Sequence, residues 1–335
     1  MTTRCLLTQA GTDGILGHVQ SRVAEGGGNM PLSGDDERAL EEIDARLKTI
    51  LPEEYQESYD ALEPVPMGSA GLRFDADGKV AWNEIWQSFC DLAMAGGPPH
   101  KGVLLGAGKR SEIDAERQRY EEVAAEICRG VMLAAQLEAD PSPVPGWIRV
   151  ICYSGGMAGW LLRAIVMENV AARADGLTLD LPAAPHFRLE REVKNVVTVI
   201  AKTSHYWLGH MPRSQQRAVT GLFARLGDES PLVVPDPAAE DGADGNAVTA
   251  LAGRIDRLAG LKASNHRYAG WLGLECPDVR TALWMMRALV AVNVLSRREG
   301  TALFVPVNAA LDPGGERVAG SVARLRALAA RKILT

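Results

Sequence analysis

The chain has 335 residues, 47% of them hydrophobic and 23% charged, with a formal net charge of -6. That length is ample for a buried core, and the balance of apolar and charged residues excludes a disordered, collagen-like or coiled-coil chain. The acidic balance argues against a protein that grips nucleic acid by general charge attraction.

Residues 1–35 are weakly patterned, include Gly26-Gly27-Gly28, and read as a mobile arm. No stretch of residues 1–30 has the apolar core of a signal peptide. From Asp35 a helix begins: Leu40, Ile43, Leu47 and Ile50 recur at helical spacing, with acids in the first turn where the dipole favours them. Pro52 ends it, and Pro64, Pro66 and Gly68 make a linker. Leu72-Arg73-Phe74 and Lys79-Val80-Ala81-Trp82 flank Asp75-Ala76-Asp77-Gly78 as a hairpin.

The strongest signal is an internal repeat. Displacing the chain by 124 positions puts Gly146-Trp147 on Gly270-Trp271, Cys152 on Cys276, and Trp160 on Trp284. Between Trp160 and Pro182, ten of 23 positions match without a gap, among them Arg163 with Arg287, Asn169 with Asn293, Arg173 with Arg297 and Gly176 with Gly300. Ordinary composition gives roughly one or two such matches. The reading is ancestral duplication, in a unit too long for a solenoid repeat.

Each lobe then has the same order. A short strand (103–105 or 232–234) precedes an amphipathic helix (113–137 or 247–261) and a Gly-Trp strand (147–152 or 271–276). An apolar helix follows (157–173 or 280–297), capped by Gly176 or Gly300. A strand (177–181 or 302–305) and a last helix (188–204 or 315–332) complete the lobe. The expected class is α/β: an internally duplicated, two-lobed fold with βαβ units related by pseudo-twofold symmetry, plus an N-terminal helical arm. Residues 1–70 form arm and helix, 71–205 the first lobe and 206–335 the second. The stretch 235–246 is a flexible insert. Leu177 to Leu181 alternate apolar and polar, so the sheet type stays open.

Several constellations are candidates for chemistry. Gly106, Gly108 and Lys109 lie in Gly106-Ala107-Gly108-Lys109-Arg110, between a strand and a helix, where backbone N–H groups and basic side chains can meet an anion. The loop is not a P-loop, and the plain alternative is a surface turn. His100 sits in Ala95-Gly96-Gly97-Pro98-Pro99-His100-Lys101-Gly102, a backbone shape costly to regular structure, and titrates near neutrality. His205 and His210 lie about 140° apart on an α-helix, so they form no helical zinc pair unless the chain breaks at Gly209. Ser154, before Gly155-Gly156, is a helix N-cap or a ligand contact.

Arg163 and Arg287 recur inside the apolar helices and need partners if buried. Either they hold the lobes together, or they line a pocket that binds a carboxylate or phosphate, with Glu168 as an acid/base lacking a counterpart at Val292. The paired tryptophans favour packing over ligand stacking. The five cysteines form no C-x-x-C pair, so neither a disulfide framework nor a zinc ribbon is expected. The most apolar stretch, 157–171, contains Arg163 and Glu168 and is too short to span a bilayer.

The expected function is an enzyme acting on a small anionic molecule in the cytoplasm. His100, His205 and Glu168 supply acid/base chemistry, and Gly106, Gly108, Lys109, Arg163, Arg287 and Ser154 bind the substrate. No metal, membrane or nucleic-acid contact is assigned, and the cofactor is open. The alternative is a non-catalytic binding or scaffold protein, as a homodimer through its N-terminal helix.

Overall fold

The computed structural model describes residues 33–59, 71–87, 91–237 and 245–334. Residues 1–32, most of the expected arm, lie outside that set. Helix α1 (Gly34–Ile50) starts where Ser33 accepts a hydrogen bond from the Asp36 N–H and stops ahead of Pro52. It is no arm. Ile43, Leu47 and Ile50 are buried, Asp36 pairs with Arg324 and Arg331, and the Ile50 carbonyl accepts from Trp160 Nε1 at 2.8 Å. An apolar stripe at helical spacing has found its groove within its own chain. Phe74 bridges Val80 in the expected hairpin, with Gly78 at φ 74° in the turn.

Helices α2 (Arg110–Ala115) and α3 (Arg117–Ala135) precede a four-stranded sheet of β1 (Ala139–Pro141), β2 (Trp147–Ile151), β3 (Arg173–Asp175) and β4 (Thr178–Pro182). Helix α4 (Gly155–Met167) joins β2 to β3, and α5 (Lys194–His205) follows a π-helical turn at Leu189–Val193. After a second π-turn (Tyr206–His210) comes α6 (Arg213–Glu229), a helix whose only buried residues are Val219, Leu222 and Leu226. Then α7 (Gly245–Ala259) introduces a second sheet of β5 (Ala263–Tyr268), β6 (Trp271–Glu275), β7 (Arg297–Glu299) and β8 (Ala302–Pro306). Helix α8 (Val279–Ala291) joins β6 to β7, and α9 (Glu316–Leu334) ends the chain. Residues 238–244 of the expected insert lie outside the described set.

The strand orders are β1-β2-β4-β3 and β5-β6-β8-β7, and every pairing within them is antiparallel. Strands alternate with helices as expected, yet the parallel βαβ crossover does not form. Tight turns at Gly176 (φ 55°) and Gly300 (φ 57°) fold β4 and β8 straight back, so each lies antiparallel to β2 or β6. The expected strands at 103–105 and 232–234 shrink to single parallel bridges, Leu105 with Val170 and Val233 with Val294. Those two glycines do not cap the helices either. Helices α4 and α8 end earlier, where Asn169 (φ 61°) and Asn293 (φ 63°) take the left-handed conformation that asparagine tolerates.

Registers repeat between the halves: Trp147 faces Pro182, and Trp271 faces Pro306. Arg173 lies over the Trp147 ring at 4.0 Å and Arg297 over the Trp271 ring at 5.3 Å. Trp160 and Trp284 are buried at matching positions of α4 and α8, in one hydrophobic core continuous across both halves.

Candidate anion-binding site

The glycine loop at 106–108 serves packing. Gly108 donates to the Ala183 carbonyl at 3.0 Å, and a Cβ on it would lie 2.8 Å from Ala184 Cβ. The Gly108 carbonyl is itself so close to Gly146 (φ 89°) that a Cβ there would lie 2.7 Å from it. Gly106 is half-buried, Lys109 is exposed, and the Lys109 N–H is turned onto Glu112 Oε2 at 3.2 Å. Ser154 caps α4 by accepting from the Met157 N–H at 3.1 Å. The glycine beside it, Gly156, admits α6, since a Cβ would collide with Thr220 Oγ1.

Both repeated arginines tie the halves together. Arg163 donates to Asn293 Oδ1 at 2.7 Å and to the Gly159 carbonyl at 2.8 Å, and it stacks 3.8 Å over Phe223. Burial pushes its pKa down to about 9. Arg287 donates to the Met94 carbonyl at 2.9 Å and also to that of Ala95. Both guanidiniums are buried, and these partners support the interlobe reading.

Glu168 is 0% exposed. Its Oε1 accepts from Lys202 Nζ at 2.8 Å and the Ala93 N–H at 2.9 Å, and its Oε2 from the His100 N–H at 2.8 Å. Lys202 also donates to the Asp91 carbonyl at 3.1 Å. A buried carboxylate needs such saturation. Glu168 therefore fixes the Gly/Pro segment rather than presenting itself to a ligand. That segment continues into Leu104, whose N–H reaches Glu299 Oε1 at 3.0 Å. Glu299 in turn pairs with fully buried Arg297 at 2.6 Å, and Arg297 reaches Asn169 Oδ1 at 3.1 Å.

His100 is half-buried against the start of α5 and shares a hydrogen bond with the Asn195 side chain. Burial, followed by the charges of Lys202, Lys101 and Lys194, pushes its pKa down to about 3, so the ring is neutral at pH 7. One turn along the same face from Asn195, Thr198 Oγ1 is buried without a hydrogen-bond partner among the described residues. Arg298 is 3% exposed; burial lowers its pKa and the charge of Glu168 raises it. Its Nη1 donates to the Gly300 carbonyl, while its Nε and Nη2 have no hydrogen-bond partner among the described residues. Along this junction five buried bases, Arg163, Arg287, Arg297, Arg298 and Lys202, meet two buried carboxylates, Glu168 and Glu299. In a chain of net charge -6 that is a local reversal of sign.

His205 does not join this cluster. It is exposed at the far end of α5, about 15 Å along the helix axis from Asn195. Of the three expected acid/base residues, only His100 and Glu168 touch, and they do so through a backbone N–H. Lys202, Asn195, Arg298 and Glu299 were not foreseen. Lys202 alone left a trace, as a charge within the apolar run from Val196 to Ala201. The Cys152 and Cys276 thiols are pushed up to about 12, chiefly by burial, which disarms both as nucleophiles.

Among the described residues no group of three or more His, Cys, Asp or Glu side chains is arranged to hold a metal ion, and no helix is long and apolar enough to cross a membrane. Neither a family model, nor a curated protein, nor a solved structure matches the chain.

Proposed function

We propose that the protein takes a small anionic molecule, bearing a phosphate or carboxylate, beside His100 at the junction of the halves and acts on it with His100 as proton acceptor. One observation carries this reading. A neutral imidazole, held by Asn195, stands among Lys101, Lys194 and Lys202, and buried Arg298, which feels the Glu168 charge, has its Nε and Nη2 without a hydrogen-bond partner among the described residues. An entering anion adds negative charge beside the ring and raises the basicity of His100 from its resting value, so the ligand creates the base that acts on it.

The enclosure of Glu168 favours a second reading, a binding protein without catalysis, because Glu168 is then not available as an acid or base beside His100. The scaffold version that docks through α1 loses ground, since that helix is seated in its own core. We further infer that the halves are copies of one module related by a pseudo-twofold axis. Equal strand orders, matching registers and the two left-handed asparagines support this. A cytoplasmic setting fits Cys128, Cys152 and Cys276, which are buried and unpaired.

The test is a melting-temperature screen with orthophosphate, nucleotides and small dicarboxylates, followed by an NMR titration of the His100 ring. A binding anion raises both the melting temperature and the His100 pKa, and His100→Gln keeps the first effect in part. If every anion leaves melting and ring resonances unmoved, both readings fail.

A further inference from the structure

We propose that His205 and His210 bind a divalent transition-metal ion, zinc or one of similar ligand preference, through their two Nε2 atoms. This pair lies at the other end of α5 from Asn195 and His100. Residues five apart on an α-helix point about 140° away from each other. Here the π-turn Tyr206–His210 changes the winding at the end of α5, and the two Nε2 atoms meet at 3.1 Å. Such turns are rare and concentrate where a side chain must be re-aimed for function.

The spacing suits a metal. Two nitrogens each 2.0–2.1 Å from zinc, at angles between a right angle and the tetrahedral value, lie roughly 2.8–3.4 Å apart. The proton arrangement suits it as well. Glu54 Oε2 lies 2.6 Å from His210 Nδ1, which places a proton on that nitrogen and leaves the His210 Nε2 lone pair accepting from His205 Nε2–H; that proton moves to His205 Nδ1 or to solvent when a metal takes its place. A carboxylate behind a ligating imidazole is the usual outer-shell partner of a zinc-bound histidine.

The supporting frame is rigid. Next to Glu54, the Tyr55 hydroxyl lies 2.7 Å from that of Tyr206 and donates to Asp91 Oδ1 at 2.8 Å. This buried contact joins the short 53–55 turn to the π-turn, so the carboxylate and both imidazoles are held before any metal arrives. His205 is exposed and His210 half-exposed, so the pair stands at the surface of the molecule.

The test uses the full-length, untagged chain, stripped of metal by a chelator and given one equivalent of Cu²⁺. Electron paramagnetic resonance is expected to show two equatorial imidazole nitrogens, and Zn²⁺ added in a calorimeter competes for the same site. His205→Ala and His210→Ala each abolish the two-nitrogen signal. His18→Ala, His100→Ala, His186→Ala and His266→Ala retain it. Glu54→Gln weakens Zn²⁺ binding by about tenfold or more. Circular dichroism verifies the fold, and His205→Asn replaces the alanine variant if that one is perturbed. A signal that survives both His205 and His210 substitutions, or no stoichiometric binding at all, overturns the proposal.

Discussion

Arg163 donates through Nη2 to Asn293 Oδ1 at 2.7 Å, across 130 residues of sequence. Asn169 is served by a different position of the repeat, since Arg297, the partner of Arg173 and not of Arg163, donates to Asn169 Oδ1 at 3.1 Å. Each asparagine closes a buried helix, takes the left-handed conformation, and accepts a proton from an arginine of the other half. The amide of Asn293 also donates to the Ser230 carbonyl, and that of Asn169 to the Lys101 carbonyl, both at 2.9 Å.

This double duty sets the first expectation. Asn293→Ala removes the acceptor of a buried guanidinium and places a Cβ-bearing residue without a polar arm in the left-handed region. It costs about 2–4 kcal/mol. Asn293→Gly loses the same hydrogen bonds without the backbone strain and is milder by about 1 kcal/mol. Urea unfolding of both variants checks this, and equal losses would show that the conformation carries no weight.

A second expectation concerns the Glu168–Lys202 pair. Glu168→Gln leaves an ammonium uncompensated in the interior and destabilises by about 3–5 kcal/mol. Glu168→Gln combined with Lys202→Met recovers part of that loss. In the single variant the amide hydrogens of Ala93 and His100 exchange faster, because the acceptor that held them is weakened. A double-mutant cycle read by denaturant unfolding, with hydrogen exchange beside it, measures both effects.

The third follows from the neutral state of His100. Its pKa is about 3 in the folded chain against an ordinary 6.5. Between those values the unfolded chain binds the extra proton, so stability rises with pH across this window and levels off above it. The group contributes at most about 1.4 kcal/mol per pH unit there. His100→Gln flattens this dependence between pH 4 and 6.5 and leaves stability at pH 8 with little of it. Melting curves of the two proteins over that range decide the matter.

Much of the architecture could be read from residue order, for physical reasons visible at single positions. Five-residue strands such as Trp147–Ile151 and Ala302–Pro306 are long enough to express a pattern, and the expected bounds lie within one residue of the observed ones. Three-residue edge strands such as Ala139–Pro141 and Arg297–Glu299 are too short to carry a period. Helix α6 buries only three apolar side chains and went unforeseen. The helix ends at Asn169 and Asn293 were overrun, because asparagine signals a left-handed stop more faintly than glycine.

The site was harder to read. His100 was singled out by its glycine and proline neighbours. Arg298 and Lys202 become important only once burial strips them of water, and burial is a property of the folded neighbourhood. Beside Ser154, where the residue order left a ligand contact open, what approaches Gly156 is Thr220 of a neighbouring helix.

The segment from Asp91 to Leu105 donates to Glu168 and accepts from Lys202 and Asn169 in the first half, and it accepts from Arg287 and donates to Glu299 in the second. A second half made without that strip of main chain would leave Arg287 and Glu299 short of these hydrogen bonds, so the same short stretch of backbone serves buried charges of both halves.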